Sequence, residues 1–352
     1  MNKLSQANKI LVTNLMHIGD IVFITPFLHV LRKHAPHADI TILVDKKTQD
    51  IVQHNPNINN IITIDKKGKD DNLKALWLIA AKLRTHSFDL TINLHPNERC
   101  SFLAAFSGAK QKVGVSAPLF RWLFGETYPF RLKEKDVLVV DAYLDILHQM
   151  GITDLAHNGV EKFLSPKEIT FAKEFYAANE VGENDKLIGL NVGGSWATKL
   201  WTTEGWAALA DHYLKQGIKP VFFGGPMDIP MVEEILAKMQ GTPILATGRT
   251  SLLQLAALIS RCNVFVSGDS GPMHIASTQK VPIVAIYGPS DWSKFPPFTD
   301  KKQIITAGLN CQPCNKHVCE HHSCMKQIDV KVMIEAVNRL LGNSFISKNR
   351  FI

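Results

Sequence analysis

The chain has 352 residues, of which 45% are hydrophobic and 20% are charged, and its formal net charge is +7. This length exceeds a single hydrophobic core and predicts two domains, while the composition excludes long disordered or low-complexity segments. The N-terminal residues lack the apolar core of a signal peptide, and no apolar run approaches the roughly 18 residues of a membrane span, so we expect a cytoplasmic protein. The positive charge favours an anionic partner, namely a nucleic acid, an acidic membrane surface or a phosphorylated substrate.

The first half of the chain alternates between strand-like and helix-like segments. Apolar runs predict strands at residues 10–15, 39–44, 60–64 and 89–94. Apolar residues at three- and four-residue spacing predict helices at residues 27–33, 72–85 and 99–106. This alternation is typical of a parallel sheet covered by helices.

A second alternation follows a polar segment with a Ser-Pro turn, where we place a domain boundary between residues 165 and 166. Its strands are predicted at residues 186–192, 220–223, 243–247, 263–267 and 282–287. Its helices are predicted at residues 204–215, 231–239, 252–261, 273–279 and 330–341. We therefore expect an α/β fold with two doubly wound parallel sheets, in which ligands bind beyond the carboxyl ends of the strands.

A glycine-containing turn between a predicted strand and a helix is the strongest candidate ligand site. Backbone N–H groups at a helix start point at an anion, Gly271 allows close approach, and Pro272 suits the first helical turn. We assign Ser270, Gly271 and Pro272 to a phosphate, and Asp269 to a sugar hydroxyl. His274 lies on the first turn and is either part of this pocket or a structural histidine.

Two further charged residues follow predicted strands. Asp20 lies after the first strand, where its carboxylate either takes a proton from a hydroxyl nucleophile or caps a helix. Lys199 follows the loop Gly193, Gly194 and Ser195, whose backbone N–H groups can surround a phosphate. The ammonium of Lys199 would neutralise charge on a leaving group; the alternative is a solvated surface lysine.

Four cysteines near the C-terminus, interleaved with histidines, form a compact loop. Cys311, Cys314, Cys319 and Cys324 follow the spacing Cys-x2-Cys-x4-Cys-x4-Cys. Zinc is bound tetrahedrally by such ligands, so the loop is a candidate structural zinc site, with reduced or partly oxidised thiols as the alternative.

Basic residues cluster in the first half, where they form either an acceptor surface for an anionic molecule or a solvated face. The cluster comprises Lys46, Lys47, Lys66, Lys67, Lys69, Arg99, Lys110, Lys112 and Arg121. Arg99 is singled out because it follows the carboxyl end of a predicted strand. Nucleic acid is disfavoured as a partner, because basic and aromatic residues are not interleaved and no binding module is recognised.

Five short motifs occur in order along nearly the whole chain. They are MHIGD at residues 16–20, TP at 25–26, KLW at 199–201, DSGPMHIA at 269–276 and YGPSD at 287–291. Together they resemble those of the ADP-heptose:lipopolysaccharide heptosyltransferases of glycosyltransferase family 9, and the cysteine loop also resembles one found in many of these proteins.

The resemblance implies a GT-B fold, with an acceptor domain at residues 1–165 and a nucleotide-sugar domain at residues 166–329 facing it across a cleft. Residues 330–352 would form a helix and tail that pack back on the first domain. It further implies inverting transfer of heptose from an ADP-heptose donor to the phosphorylated lipid A-core acceptor, with no cofactor required for catalysis. The enzyme would be peripheral at the inner face of the inner membrane.

The resemblance also implies roles for individual residues. Asp20 would be the general base, Lys199 would stabilise the pyrophosphate and Asp269 would hold the heptose. The phosphate end would be lined by Gly271, Pro272, Met273 and His274. From their positions in the chain, and not from the resemblance, we assign Gly19, Arg99 and Arg121 to contact with the acceptor.

Two positions depart from the family pattern. Relatives often carry an acidic residue after the Gly-Gly turn, and this chain offers Asp228 as its counterpart for nucleotide contact. Leu138 stands where relatives often have a histidine. The second departure leaves the acceptor open. Two other functions therefore stay open: a nucleotide-sugar epimerase or hydrolase of similar fold, and a zinc-loop protein that binds anions without turnover.

Overall fold

The computed structural model describes residues 3–342, and the chain divides into two compact units, Met1–Phe163 and Leu164–Ile352. This division lies two residues from the boundary expected from the sequence. Within residues 3–342 no helix combines the length and the apolar character needed to cross a bilayer.

The first unit contains a six-stranded parallel sheet. Its strands are β1 (Lys9–Thr13), β2 (Asp39–Asp45), β3 (Asn60–Ile64), β4 (Leu90–Asn93), β5 (Gln111–Gly114) and β6 (Glu126–Thr127). Its α-helices are α1 (Lys3–Gln6), α2 (Ile18–Phe23), α3 (Thr25–His34), α4 (Gln49–Val52), α5 (Leu73–Thr85), α6 (Glu98–Ala105) and α7 (Val139–Gln149). Short 3-10 helices span Lys46–Thr48, Pro118–Leu123 and Arg131–Lys133.

The second unit contains another six-stranded parallel sheet. Its strands are β7 (Leu187–Asn191), β8 (Lys219–Phe223), β9 (Ile244–Leu245), β10 (Val264–Gly268), β11 (Ile283–Ile286) and β12 (Lys302–Ile305). Its α-helices are α8 (Pro166–Ala178), α9 (Thr203–Leu214), α10 (Ile229–Lys238), α11 (Leu252–Ile259), α12 (Gly271–Thr278), α13 (Ser323–Lys326) and α14 (Val330–Leu341). Short 3-10 helices span Ala197–Lys199 and Pro226–Asp228.

Both sheets have the same strand order. The first runs β3-β2-β1-β4-β5-β6, and the second, read from its β9 edge, runs β9-β8-β7-β10-β11-β12. In each sheet the first strand of the unit pairs with the second and the fourth strands of that unit. The order in which strands are added to the sheet therefore reverses beside the first strand. A crevice opens at the carboxyl ends of the strands at such a switch point, and ligands of doubly wound sheets bind there.

Local signals explain where several helices begin. The side chain of Ser165 accepts a hydrogen bond from the backbone of Lys167, and Glu168 bonds back to Ser165, so a capping box starts α8. A second capping box, between Ser251 and Gln254, starts α11. These caps satisfy backbone N–H groups that have no partner inside the helix.

The cores lie between each sheet and its helices. In the second unit Trp206 of α9 is 1% exposed and packs edge-on against Trp201 at a centroid distance of 5.2 Å. The strands β7 and β10 are buried along their whole length, and helices contribute apolar side chains to the same core. Near-continuous apolar runs are typical of strands in a parallel sheet that is covered on both faces.

Helix α14 packs on the second sheet. Met333, Ala336 and Val337 are buried in the core of that unit, and Tyr213 of α9 donates a hydrogen bond to the side chain of Asn338 at 3.1 Å. Residues 343–352 lie outside the described residues, so the return of the C-terminal segment to the first domain stays a prediction.

The predicted α/β architecture of two doubly wound parallel sheets is confirmed. All nine predicted strands and all eight predicted helices are present, with shifts of a few residues at their ends. The prediction omitted strands β5, β6 and β12 and helices α1, α2, α4, α7, α8 and α13.

Candidate active site

The carboxyl ends of β7 and β10 bring Lys199 and Asp269 together. Lys199 Nζ lies 2.6 Å from Asp269 Oδ2, and the two side chains are only 13% and 10% exposed. The ammonium also lies 4.2 Å from the centre of the Trp196 ring, within the range of a cation–π contact. Lys199 is therefore a half-buried, fixed charge and not the solvated surface lysine of the alternative interpretation.

His274 completes this cluster from the first turn of α12. Its Nε2 lies 3.7 Å from Asp269 Oδ1, and the residue is buried. Burial alone would raise the pKa of Asp269, but His274 and Lys199 together hold that pKa well below its usual range. Asp269 is thus ionised at any physiological pH, and its contribution to stability is lost only as the pH falls below the ordinary range of an aspartate.

A buried amide joins the ends of the same two strands. Asn191 Nδ2 donates hydrogen bonds to Ser267 Oγ at 3.1 Å, to Ser270 Oγ at 3.2 Å and to the carbonyl oxygen of Gly193 at 3.2 Å. Ser270 is the N-cap residue of α12, but its side chain makes no capping bond within the helix. The Ser270 hydroxyl is held toward β7, which leaves the first-turn N–H groups of Gly271 and Met273 without a side-chain cap.

The loop of Gly193 makes room for Asp228. A Cβ atom at Gly193 would lie 2.1 Å from Asp228 Oδ2, so any other residue at this position would displace the carboxylate. The same oxygen accepts a hydrogen bond from the backbone N–H of Gly225 at 2.7 Å. Burial raises the pKa of Asp228, and the Gly225 bond offsets part of this effect. The carboxylate thus stands between the ends of β7 and β8, while Gly194 is half-buried and Ser195 is exposed in the adjoining loop.

The cysteine loop supports the segment that carries Lys199. The ring of His317 stacks on Trp196 at a centroid distance of 3.6 Å. Thr198 Oγ1 donates to the carbonyl oxygen of Lys316 at 2.9 Å, and His322 Nε2 lies 2.8 Å from the carbonyl oxygen of Thr198. These three contacts fix the backbone directly before the lysine.

The four cysteines of this loop are near one another and are free thiols. Burial, followed by the thiols of Cys311, Cys314 and Cys319, raises the pKa of Cys324. Among residues 3–342, however, no three His, Cys, Asp or Glu side chains are arranged to hold a metal ion. The described geometry therefore does not supply a zinc site, and the expected structural zinc stays a prediction.

In the first unit Asp20 lies on the first turn of α2. The helix starts at Ile18, directly after the N-cap residue His17, so Asp20 is the third helical residue. The alternative interpretation of Asp20 as a helix cap is therefore wrong, because the helix begins two residues before Asp20. Asp20 is half-buried, and its charge adds to burial in raising the pKa of the Tyr143 hydroxyl. Gly19 precedes it on the same turn.

Several titratable side chains accompany Asp20 in the first unit. Lys66, after β3, donates to the carbonyl oxygen of Leu15 at 2.5 Å and pairs with Asp45 at 3.2 Å. Burial, followed by the positive charges of Lys66 and His17, lowers the pKa of His95 to about 4. His95 follows β4 and is consequently a neutral imidazole near pH 7.

The predicted acceptor residues Arg99 and Arg121 lie on different elements. Arg99 of α6 donates to the carbonyl oxygen of Lys66 and pairs with Asp71, and so ties α6 to the loop after β3. Arg121 lies on the 3-10 helix Pro118–Leu123 and donates to Thr127 Oγ1 at 3.0 Å. The basic residues are thus partly neutralised by acidic neighbours and do not form one uniform surface.

Sequence reasoning missed Asn191 and Trp196 beside the candidate residues of the second unit, and His95 in the first unit. The sequence pattern indicates Asn191 only as part of a strand and Trp196 only as part of a loop, and it gives no signal for His95. Asn191 could have been found as a polar residue that ends an apolar strand beside a Gly-Gly turn. No sequence signal indicates the contact between Trp196 and His317, because 120 residues of chain separate the two rings.

Comparison with known proteins shows which family this chain resembles. The profile of Glycosyltransferase family 9 (heptosyltransferase) matches residues 76–324. Lipopolysaccharide heptosyltransferase 3 of Escherichia coli K12 is 25% identical over 339 residues, which cover 94% of this chain and 98% of that protein.

Two solved structures extend the comparison. A glycosyl transferase family 9 protein from Veillonella parvula superposes with a TM-score of 0.89 at 37% identity, covering 96% of this chain and 98% of that one. E. coli ADP-heptose lps heptosyltransferase II superposes with a TM-score of 0.77 at 22% identity, covering 95% and 98%. The predicted GT-B fold is confirmed by these likenesses. The family match and the 37% identical relative establish that the chain belongs to glycosyltransferase family 9, the heptosyltransferases.

Proposed function

We propose that this enzyme transfers heptose from ADP-L-glycero-D-manno-heptose to the inner core of lipopolysaccharide, with inversion at the anomeric carbon and without a catalytic metal. The observation that carries the proposal is the fixed cluster of Lys199, Asp269 and His274 beside the uncapped start of α12. The names of the relatives, a lipopolysaccharide heptosyltransferase and an ADP-heptose lps heptosyltransferase, support the choice of donor and acceptor.

The second unit would hold the donor. Backbone N–H groups of Gly271 and Met273 at the start of α12 suit a phosphate, and Lys199 adds a full positive charge at the same strand ends. Asp269, ionised next to these groups, would accept hydrogen bonds from heptose hydroxyls. Asp228, between the ends of β7 and β8, would accept hydrogen bonds from the nucleoside.

The first unit would activate the acceptor. Asp20 would take the proton of the attacking hydroxyl as the new glycosidic C–O bond forms on the face opposite the leaving group. The bond between the anomeric carbon and the diphosphate oxygen breaks in the same step, so ADP leaves with the electron pair. Lys199 would stabilise the negative charge that develops on the diphosphate. A single displacement of this kind inverts the anomeric configuration.

The test is a transfer assay with purified protein, ADP-heptose and lipopolysaccharide truncated before each inner-core heptose. ADP release should require both substrates, and the acceptor should gain the mass of one heptose. Conversion of the donor without an acceptor would favour an epimerase or a hydrolase. If a folded enzyme that binds ADP-heptose transfers nothing to any of these acceptors, the proposal is wrong.

A further inference from the structure

An exposed apolar surface lies on the first unit, on α5 and on the 3-10 helix Pro118–Leu123. We call it the α5 surface. It comprises Leu73, Trp77, Leu78, Leu119 and Trp122, which are 74%, 50%, 63%, 65% and 78% exposed. They account for five of the ten large hydrophobic side chains that stand exposed within residues 3–342. Concentrated apolar exposure of this kind marks an interaction site, whereas single exposed hydrophobic residues are ordinary.

Aromatic contacts make the α5 surface continuous. Trp77 packs against Phe102 and Phe106, each at a centroid distance of 4.9 Å. Phe120 of the 3-10 helix packs against the same two rings at 5.9 and 6.5 Å. Phe102 and Phe106 thus contact both exposed segments and connect them through a continuous set of aromatic rings.

The two elements of this surface carry charges of one sign only. The exposed acidic residues Asp71 and Glu126 lie beyond their ends, where Asp71 pairs with Arg99 and Glu126 accepts a hydrogen bond from Tyr128. Helix α5 contains Lys74, Lys82 and Arg84 and no acidic residue, and the 3-10 helix contains Arg121 and no acidic residue. Lys74, Lys82 and Arg121 are all exposed. Exposed tryptophan and leucine side chains flanked by lysine and arginine match the interface of an anionic bilayer, where rings enter the headgroup layer and cations meet lipid phosphates.

A second copy of the chain fits this surface poorly. In a two-fold symmetric contact each surface would face itself, so the lysines and arginine of one copy would approach those of the other. Like charges brought together at an apolar contact disfavour association. An anionic lipid surface removes this conflict and also covers the apolar side chains.

We propose that the α5 surface docks the enzyme on an anionic lipid bilayer. The purpose of this docking rests on the proposed function, since the acceptor there carries a lipid anchor. Docking through the unit that bears Asp20 would hold the base near the membrane in which that acceptor is embedded. The exposed side chains would be covered only on the membrane.

The test is co-sedimentation with vesicles of phosphatidylethanolamine containing roughly one third phosphatidylglycerol, compared with vesicles of phosphatidylcholine alone. The wild-type protein should bind the anionic vesicles and be released by high salt. The triple variant Leu73→Ser/Leu78→Ser/Trp122→Ser should bind at least about tenfold more weakly, because these side chains supply the apolar contact. The variant Lys74→Glu/Lys82→Glu should lose binding to anionic vesicles to a similar degree.

Control variants separate docking from folding and from catalysis. Ile169→Ser/Val332→Ser removes two exposed apolar side chains of the second unit and should bind vesicles like the wild type. The triple variant should keep wild-type turnover on a water-soluble, deacylated acceptor. Equal vesicle binding by wild type and triple variant, or concentration-dependent dimerisation that the triple variant abolishes, would overturn the proposal. Vesicle binding is measured without donor or acceptor, so its failure is distinguishable from failure of the heptosyl transfer.

Discussion

Both units have a hydrogen bond between polar side chains at the same point of the fold, but the asparagines in these bonds have different further partners. In the first, Thr13 of β1 lies opposite Asn93 of β4 and donates to it at 2.7 Å. In the second, Asn191 of β7 lies opposite Ser267 of β10 and donates to it at 3.1 Å. Each bond joins the carboxyl ends of the two central strands.

The amide groups point to different neighbours beyond these bonds. Asn93 Nδ2 donates to the carbonyl oxygen of Val115 at 2.6 Å and so holds the end of its own sheet. Asn191 Nδ2 reaches Ser270, at the start of the helix assigned to phosphate. The candidate base Asp20 lies on a helical turn outside the Thr13–Asn93 bond. Identical topology therefore fixes where ligands bind but not which side chains serve them.

The largest expected effect is at Asp20, which tests the role given to the first unit. Replacing Asp20 by Asn should lower kcat by about 10²- to 10⁴-fold, because the amide cannot accept the proton of the hydroxyl. Donor affinity, measured by titration with ADP-heptose, should stay unchanged. Asp50→Asn, on the first turn of α4, is the matched control and should keep full activity. A kcat within tenfold of the wild-type value would show that Asp20 is not the general base.

The next effect is at Lys199, which tests the charge supplied by the second unit. Lys199→Met should lower kcat by about 10²- to 10³-fold, because the departing diphosphate loses its positive partner. Single-turnover measurements of ADP release would show whether the chemical step is slowed. The control is Lys219→Met, which breaks a lysine–aspartate pair of 2.7 Å with Asp185 elsewhere in the same unit. Equal losses in both variants would mean that Lys199 acts through stability alone.

A smaller effect is expected at the two asparagines, Asn191 and Asn93, whose variants compare the two units directly. Asn191→Ala should reduce the free energy of unfolding by about 1–3 kcal/mol, because buried hydroxyl and carbonyl groups lose a donor. It should also weaken ADP-heptose binding, since Ser270 is released. Asn93→Ala should cost a similar amount of stability while leaving donor affinity intact. If both variants bind the donor like the wild type, the two bonds are equivalent and the contrast between the units fails.

The smallest effect is the pH dependence at His95. Its folded-state pKa of about 4 lies below the ordinary histidine value, so protons bind preferentially to the unfolded chain as the pH falls. The neutral imidazole therefore stabilises the fold above about pH 6.5, and this contribution declines toward pH 4. Denaturant unfolding of His95→Gln should show a flatter profile, by up to about 2 kcal/mol after allowing for solvent screening. The exposed His37→Gln is the control; an unchanged slope in His95→Gln would contradict the shift.

The sequence alone predicts the strands that carry the site, and the three strands that it misses lie outside the site. Strands β7 and β10 are continuous buried runs that end in glycine turns, so both the element and the ligand position are visible. Strand β5 begins with Gln111 and Lys112, and β12 is only partly buried, so neither shows a strong apolar pattern. Such strands, at the sheet edge in β12 and next to it in β5, form because the sheet offers them backbone partners.

The same distinction applies to the candidate site. Asp269, His274 and Lys199 were assigned from their place after strands, which is a local property of the chain. The bond of Asn191 to Ser270, and the low pKa of His95, depend on residues brought near by folding. Such contacts have no periodicity, and one sequence does not reveal them.

The stacking of His317 on Trp196 determines how inactivation of the enzyme by cysteine-alkylating reagents should be interpreted. The cysteine loop contributes no group to the proposed chemistry, yet it sets the position of the segment that carries Lys199. Reagents that alkylate Cys311 or Cys314 would disturb this support from a distance. Loss of turnover after such labelling would therefore report a displaced ammonium, and not a missing cysteine nucleophile.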